Sequence, residues 1–279
     1  MPILNRLVDL YESRGFEIAA GFNPYHFDNF GAAPYTWIFR DGRPYTNALG
    51  IAVKEIYFLE CLFENYHPRT IFIIGNSFGW STFALALVNP GAHVVAIDAG
   101  IEEYSEEGVA LTNRIASEEN LHVTAVKAAS PHDVGSVIAE HLGGSVDFAF
   151  IDGCHTNEYV VLDFNAVRPH GAPDCVYLFH DVHQCMLHEG FETVRRESGF
   201  AGGLLLGTTS GMGILYGESS ASVLEQTVHT FSHGETALNE VRHDAWNARH
   251  HYFAKYHKSL AKRRNTVRGW LGKSPLPLP

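Results

Sequence analysis

The chain has 279 residues, 46% of them hydrophobic, and a formal net charge of −11 at pH 7. This length allows a large core in one α/β domain with additions, without disulfides or metals to hold it together. The acidic balance disfavours a general nucleic-acid binder, and we find neither a signal peptide nor a long apolar run, so we expect no membrane partner and a cytoplasmic location. The four cysteines form no CxxC pair, which favours reduced thiols over zinc ligands.

The N-terminal part, residues 1–66, is predicted to be a helical and aromatic lid segment. Apolar residues at helical spacing predict a short helix from Ile3 to Tyr11. The stretch from Gly15 to Leu49 is rich in glycine, proline and aromatic residues and shows no steady period, which predicts a loop-rich segment. Such a stretch suits a substrate lid and equally a cap over the core. A second helix is predicted from Ile51 to Tyr66, closed by Pro68.

A βαβ unit follows. A buried strand, Ile71 to Ile74, leads into a turn with a glycine at each end and then into a helix from Trp80 to Val88. Glycine lets the backbone approach a ligand closely, and the amides at a helix N-terminus face the same ligand. The second strand, Val94 to Ile97, ends at an acidic residue that can accept hydrogen bonds from ribose hydroxyls. The unit therefore predicts a nucleoside-containing cofactor. The candidate cofactor-binding residues here are Gly75, Asn76, Ser77, Gly79 and Asp98.

Strand and helix patterns alternate through residues 67–218, which we predict to be the cofactor-binding domain. The further strands are His122 to Lys127, Val146 to Ile151 and Cys175 to Phe179, and the helices are Glu102 to Glu119, Pro131 to His141, Asn157 to Val167 and Met186 to Ser198. Gly203 to Leu206 and Met212 to Tyr216 leave no room for a helix between them and predict an antiparallel hairpin. The predicted fold class is Rossmann-like α/β, with a seven-stranded, mostly parallel sheet whose last strand is antiparallel and with helices on both faces.

Residues 219–279 are predicted to be a C-terminal extension. It comprises a connection from Ser219 to Gly234, a long helix from Glu235 to Arg264 and a proline-rich tail that we expect to be disordered. From Arg249 onwards the chain has eight Lys or Arg and no Asp or Glu. This basic stretch suits a solvated or intersubunit helix, or a surface for an anionic partner. A homo-oligomer through the terminal helices is one expected arrangement.

Candidate functional residues follow successive strands of the predicted sheet. In open α/β sheets, ligands bind outside the carboxyl ends of the strands, so these residues are expected to converge on one site. They are Gly75, Asp98, Ala129 with Ser130, Asp152, and His180 with Asp181.

Two motifs resemble those of a known enzyme class. The turn with three residues between its glycines resembles the first motif of class I S-adenosylmethionine (SAM) methyltransferases. The run FIDGCHTNEYVVLDF, from Phe150 to Phe164, resembles the I-D-G-x-H-x-x-x-x-V-x-x-D segment of a group that includes macrocin-type sugar O-methyltransferases and cephalosporin-hydroxylase-like relatives. The resemblance covers roughly Thr70 to Gly217. It implies SAM as the cofactor, with Ala129 and Ser130 beside its adenine. Asp152 is a further candidate cofactor-binding residue.

The same resemblance implies roles in the chemistry. In metal-dependent members of the group, the residues that match Asp152 and Asp181 hold a divalent metal, and the residue that matches His155 is the general base. Two carboxylates with open water positions suit Mg²⁺, which lowers the pKa of a bound hydroxyl, and a histidine can then accept the proton. There are two departures: Ile73 stands where an acidic residue is usual, and His180 precedes Asp181 where relatives often have aspartate. Metal dependence is therefore left open.

The sequence thus predicts a SAM-dependent methyltransferase that acts on a hydroxyl of a small-molecule acceptor, such as a sugar or a natural product. The chain lacks the D/N-P-P-Y/F motif of many amino- and nucleobase methyltransferases, which favours oxygen over nitrogen. One alternative is a metal-dependent oxygenase on the same fold, with His180, Asp181 and His183 as a candidate iron site. Another is a non-catalytic SAM-binding scaffold protein. Asp163 is expected on a helix surface rather than in the site.

Overall fold

The structure is a computed structural model that describes residues 2–23, 32–46 and 50–276. The chain forms two compact units, Met1–Ser232 and His233–Pro279. Residues 24–31 and 47–49, which belong to the predicted lid segment, lie outside the described residues.

A small antiparallel sheet lies in the N-terminal segment, where the sequence analysis predicts loops. Its strands are β1 (Glu17–Ala19), β2 (Trp37–Arg40) and β3 (Arg43–Pro44). Strands this short cannot show a clear alternation of apolar and polar residues, which is why the prediction was wrong. A signal for the β2–β3 hairpin was nevertheless present, because Asp41-Gly42 is a favoured two-residue turn and both residues have positive φ, 52° and 68°.

The larger unit is built around a seven-stranded sheet. Its strands are β4 (Thr70–Ile74), β5 (His93–Asp98), β6 (Val123–Lys127), β7 (Val146–Ile151), β8 (Gly171–Phe179), β9 (Ala201–Leu205) and β10 (Met212–Tyr216). Their order in the sheet is β6-β5-β4-β7-β8-β10-β9. β10 is antiparallel to both β8 and β9, and the pairs among β4 to β8 are parallel. The predicted Rossmann-like fold class is confirmed.

Helices cover both faces of this sheet. They are α1 (Leu4–Glu12), α2 (Val53–Phe63), α3 (Trp80–Val88), α4 (Ser105–Glu118), α5 (Val134–Leu142), α6 (Asn157–Val167), α7 (His188–Ser198) and α8 (Glu218–Ser232). Alternate residues of β4 point to opposite faces: Ile71 and Ile73 belong to a core with α1 to α4 and α8, whereas Phe72 and Ile74 belong to a second core with α5 to α7. Strands buried on both faces explain the continuous apolar runs in the sequence.

α8 replaces the connection predicted from Ser219 to Gly234, and that prediction was wrong. Leu224, Val228 and Phe231 are buried at i, i+4 and i+7, which is the spacing of one helix face. The serine and threonine content of the stretch had concealed this pattern.

The second unit contains one long helix, α9 (Glu235–Trp270), which continues six residues past the predicted end at Arg264. The described residues after it, up to Leu276, contact the last turns of the helix. The side chain of Asn265 donates to the Leu276 carbonyl at 2.8 Å and accepts from its amide at 2.9 Å. Among the described residues, no helix has both the length and the apolar content needed to cross a membrane.

Candidate active site

The carboxyl ends of the central parallel strands meet at one edge of the sheet. Ile74 of β4 is in register with Ile97 of β5 and Ile151 of β7, and Ile151 is in register with Phe179 of β8. The residues that follow these strands surround a cavity of about 560 Å³. The predicted site residues in its wall are Gly75, Ser77, Asp98, Ala129, Ser130, Asp152, His155 and Asp181. The predicted convergence of strand ends is therefore present in the structure.

Gly75 allows the turn after β4 to pass directly against the residue after β7. Its φ is 99°, and a Cβ added there would lie 2.0 Å from the backbone oxygen of Asp152. The amides of Gly75 and Asn76 both donate to the carbonyl of Ile97, at 2.9 and 3.1 Å. Only glycine fits this contact without a backbone shift. The glycine turn and Asp152 thus form adjoining parts of one cavity wall.

Asp98 holds the two loops that follow β4 and β5 at the cavity. Its Oδ2 accepts a hydrogen bond from the Ser77 amide at 2.8 Å, and its Oδ1 accepts one from the Gly100 amide at 3.0 Å. A carboxylate oxygen can accept two hydrogen bonds, so both oxygens keep acceptor capacity toward the cavity. Asp98 is therefore oriented in advance for a ligand that presents hydroxyls, as the sequence analysis predicts for a ribose.

Asn76 and Gly79, the other predicted cofactor-binding residues, are not among the residues that line the cavity. Asn76 is 1% exposed and forms hydrogen bonds with Thr82 and Thr112. A Cβ at Gly79 would lie 2.4 Å from Thr112 Oγ1. Both residues hold the turn against α4, so the structure gives them a packing role.

Ala129 and Ser130 line the cavity after β6, and Ser130 has a partner that the sequence analysis missed. Its hydroxyl donates to Asp163 Oδ1. Asp163 was expected on a helix surface, but it is 1% exposed and also lines the cavity. The helical period around Asp163 could have shown this, since Val160, Phe164 and Val167 are buried on the same side of α6.

Asp163→Asn is expected to stabilise the protein above about pH 6 and to have little effect near pH 4. Burial raises the pKa of Asp163 to about 6, although the Ser130 hydrogen bond acts in the opposite direction. The folded protein therefore binds this proton more tightly than the unfolded chain, whose aspartate pKa is about 3.9. The contribution of Asp163 to the free energy of unfolding is fully present below the pKa of the unfolded chain. It falls by up to about 3 kcal/mol as the pH rises through the pKa of the folded protein.

Urea unfolding of both proteins at about pH 4 and about pH 7.5 measures this difference, because linkage makes it depend on pH. Asp9→Asn, at an exposed carboxylate on α1, is the control. An equal difference between wild type and Asp163→Asn at both pH values would contradict the assignment.

The far end of the cavity holds two aspartates and two histidines, Asp152, His155, His180 and Asp181, which we call the His–Asp cluster. His180 Nδ1 lies 3.2 Å from Asp152 Oδ1 and 3.4 Å from Asp181 Oδ2. His155 Nε2 lies 3.3 Å from Asp152 Oδ1 and 3.5 Å from Asp181 Oδ2. Each histidine thus contacts both carboxylates, and the three residues predicted for metal binding and base catalysis lie together.

Glu55 supports the cluster through a contact with His180, and the sequence analysis did not identify it. It is fully buried on α2, and its Oε2 lies 3.2 Å from His180 Nε2. Its two oxygens also accept hydrogen bonds from the amides of Ser210 and Ala52, each at 2.8 Å. A buried carboxylate needs such partners, because an unpaired charge in the interior is strongly unfavourable. The signal that could have revealed it is a single glutamate within the apolar face of a predicted helix.

The charges in the cluster shift the protonation of its members. Burial acts to raise the pKa of Asp152, but the nearby charge of His180 and the contact with His155 outweigh it and lower that pKa. The pKa of His155 is raised, chiefly by its contact with Asp152. Asp152 is therefore ionised at neutral pH, and it strengthens His155 as a proton acceptor.

The residues of the cluster fit a divalent cation. Asp152, His180 and Asp181 each offer a ligand atom, and these atoms all lie within 4.8 Å of one another. His180 Nδ1 and Asp181 Oδ1 are buried atoms without a hydrogen-bond partner. Buried polar atoms that lack partners in a cavity wall are suited to binding a ligand, and carboxylate with imidazole is a common donor set for first-row metals.

The iron site considered from the sequence is not assembled as expected. His183, its proposed second histidine, places Nδ1 3.1 Å from Nε2 of His188 on α7. It is not grouped with the ligand atoms of His180 and Asp181. Adjacency in sequence was misleading because the chain turns sharply after β8, where Asp181 takes a φ of 54°.

The N-terminal segment also contributes to the cavity wall. Tyr35, 5% exposed, donates a hydrogen bond from its hydroxyl to the side chain of Gln184, and both residues line the cavity. Tyr35 from the N-terminal segment and Gln184 from the loop after β8 thus both contribute to the cavity wall, and the Tyr35 ring lies 6.5 Å from the ring of His180. The described part of the aromatic segment therefore borders the site, as expected of either a lid or a cap.

Comparison with known proteins agrees with this picture. Residues 72–182 match the model of a family described as a methyltransferase domain. A search of curated proteins gave no significant match. The family match covers the strand ends from β4 to β8, and so it includes the glycine turn, Asp98 and the His–Asp cluster.

Solved structures share the fold at low sequence identity. An O-methyltransferase from Bacillus cereus in complex with SAH superimposes with a TM-score of 0.51 at 19% identity, covering 61% of this chain and 84% of that one. A putative caffeoyl-CoA O-methyltransferase from Staphylococcus aureus gives 0.47 at 13% identity, covering 58% and 83%. CalS11, a TDP-rhamnose 3′-O-methyltransferase, gives 0.47 at 16%, covering 58% and 78%. The family match and the fold confirm the resemblance to class I SAM-dependent methyltransferases.

Proposed function

We propose that this chain, whose central part carries a class I methyltransferase domain, transfers a methyl group from SAM to a hydroxyl of a small molecule such as a sugar or a natural product. The observation that carries the proposal is a single cavity with two chemically different ends. Asp98 follows β5 at one end, the His–Asp cluster follows β7 and β8 at the other, and the glycine turn after β4 lies between them. A donor bound at the first end and an acceptor at the second would meet inside it, as direct transfer requires.

The cofactor end supports SAM. Asp98 is held by two backbone amides with acceptor capacity left for a ribose, and Ala129 and Ser130 border the place expected for the adenine. The family match includes these positions, and the Bacillus cereus protein with the same fold is an O-methyltransferase in complex with SAH. Because methyl transfer from SAM is highly favourable once the reactants are aligned, positioning is the main task of the protein.

The acceptor end supports proton removal from a hydroxyl. His155 is 41% exposed on its side chain and lines the cavity, so an acceptor can reach its ring. Its Nε2 donates a hydrogen bond to Asp152, so Nδ1 is the nitrogen that can take the hydroxyl proton. The carboxylates of Asp152 and Asp181, 3.3 and 3.5 Å from Nε2, then stabilise the imidazolium. A divalent cation held by Asp152 and Asp181, if bound, lowers the pKa of a coordinated hydroxyl. This combination favours an oxygen nucleophile.

Calorimetric titration of SAM and S-adenosylhomocysteine into the purified protein, with a divalent cation present and again after chelation, tests the cofactor. We expect micromolar binding. A panel of sugars and hydroxylated aromatic compounds, followed by mass spectrometry for products one methylene unit heavier, then tests the reaction. Absence of SAM binding under both conditions would overturn the proposal.

The two alternative functions give different results in the same experiments. Oxygen consumption with ferrous iron and without SAM would indicate an oxygenase on this fold, for which the mixed nitrogen and oxygen donors of the cluster are the relevant observation. SAM binding without any turnover, unaffected by Asp152→Ala, would indicate a non-catalytic SAM-binding protein.

A further inference from the structure

His180 is the buried histidine of the His–Asp cluster, and one of its ring nitrogens is already assigned by its surroundings. Its Nε2 faces the carboxylate of Glu55 at 3.2 Å, and that carboxylate is anchored by two amides. A carboxylate can only accept hydrogen bonds at neutral pH, so Nε2 carries a proton and donates it. The ring is thereby fixed in orientation, with Nδ1 directed into the cavity.

The other ring nitrogen, Nδ1, lies close to two carboxylate oxygens but forms no hydrogen bond with them. Nδ1 lies 3.2 Å from Asp152 Oδ1 and 3.4 Å from Asp181 Oδ2, yet it has no hydrogen-bond partner. Atoms that lie this close together without the geometry of a hydrogen bond are typical of ligands that point at a common position between them. Neighbouring ligands of one cation, with bonds of about 2.0 to 2.2 Å, lie roughly 3.0 to 3.6 Å apart.

We infer that His180 Nδ1 is a third protein ligand beside Asp152 and Asp181, that Glu55 orients it, and that the site binds a first-row transition ion such as Mn²⁺ in preference to Mg²⁺. A histidine that binds a metal commonly donates its second ring N–H to a carboxylate, which fixes the tautomer and raises the basicity of the ligand. Glu55 and His180 have this arrangement.

The donor type decides the ion. Mg²⁺ takes oxygen ligands almost exclusively, whereas imidazole nitrogen favours transition ions, whose affinity for such sites rises along the series that begins with Mn²⁺. With Asp152 and Asp181 alone the protein donors would all be oxygen, so His180 is the residue that would shift the preference of the site from Mg²⁺ to a transition ion. His155 stays on the open side of the cluster, 41% exposed, where it is available to the acceptor.

The inference concerns the same site as the proposed methyl transfer. It is tested by measuring metal binding alone. The full-length protein is freed of metal by chelation and titrated calorimetrically with MnCl₂ and with MgCl₂, without SAM or acceptor. We expect one Mn²⁺ site with at least about tenfold higher affinity than for Mg²⁺. Electron spin echo spectra of the Mn²⁺ complex are expected to show the modulation of a coordinated imidazole nitrogen.

Three variants identify the ligand. His180→Asn should abolish the nitrogen modulation and the preference for Mn²⁺. Glu55→Gln should weaken Mn²⁺ binding by about 10- to 100-fold, the usual effect of losing an outer carboxylate partner. His155→Asn should keep the modulation. His188→Asn, which changes a histidine outside the cluster, is the control and should leave both readouts unchanged.

Other outcomes overturn the inference. They are Mn²⁺ binding without nitrogen modulation in the wild type, modulation lost in His155→Asn in place of His180→Asn, and no metal binding at all. If His180→Asn fails to fold, the wild-type and His155→Asn spectra together decide, because modulation that persists without His155 leaves His180 as the histidine ligand of the cluster. Because SAM binding is measured separately, failure of the metal inference leaves the proposed methyl transfer standing, and absence of SAM binding would leave the metal result intact.

Discussion

Asp98→Ala is expected to weaken SAM binding by about 100-fold or more. The side chain supplies the acceptors for the ribose hydroxyls, and each hydrogen bond to a charged group is worth about 1.5 to 3 kcal/mol, where about 1.4 kcal/mol is a factor of ten. The variant also loses the hydrogen bonds from the Ser77 and Gly100 amides, which frees the two loops at this end of the cavity. Calorimetric titration with SAM and with S-adenosylhomocysteine measures the loss.

Asp98→Asn separates the two contributions. Its remaining carbonyl oxygen can still accept one amide, so the loops are expected to hold better than in Asp98→Ala, and the affinity should lie between those of Asp98→Ala and the wild type. Thermal unfolding of all three proteins shows whether the fold survives. If well-folded Asp98→Ala bound SAM as tightly as the wild type, the carboxylate would serve only the loops and the cofactor site would be misplaced.

His155→Gln is expected to lower kcat by about 10²- to 10⁴-fold, the usual contribution of a positioned general base. Glutamine is similar in reach and polar, but it cannot take up the proton of an acceptor hydroxyl. SAM affinity should change little, because His155 lies at the opposite end of the cavity from Asp98 and contacts Asp152 and Asp181. Initial rates at saturating SAM, with an acceptor found in the product screen, give kcat and KM separately.

His188→Gln is the matched control for this prediction. It changes a histidine that contacts His183 and is not part of the cavity wall, so kcat is expected to stay near that of the wild type. A rise in KM for the acceptor with unchanged kcat in His155→Gln would contradict the role as a base and assign His155 to acceptor binding alone.

Local patterns were sufficient to predict the fold. The strands of the large sheet are continuous apolar runs because both of their faces are buried, and the helix from Trp80 to Val88 was predicted with the bounds that the structure shows. The prediction was wrong where the local signal was weak or misleading. The short strands β1 to β3 are too brief for a period, and α8 carries its buried face among serines and threonines.

The composition of the site was predicted in part, for a similar reason. Residues that directly follow a strand, such as Asp98, Asp152 and Asp181, could be placed at the cavity because a parallel sheet aligns the ends of its strands. Glu55 could not be placed in this way. It lies 125 residues from His180 in the chain, and only the packing of α2 over the sheet brings the two side chains together.

The sequence by itself determined the secondary structure of the central domain, the order of its chemical motifs and the edge of the sheet at which they act, since these depend on neighbours along the chain. The tertiary structure decided which side chains touch. It buried Asp163 beside Ser130, set Glu55 against His180, and turned His183 toward His188. Such contacts depend on how distant segments pack, because the desolvation and pairing of a polar group are set by whatever surrounds it in space.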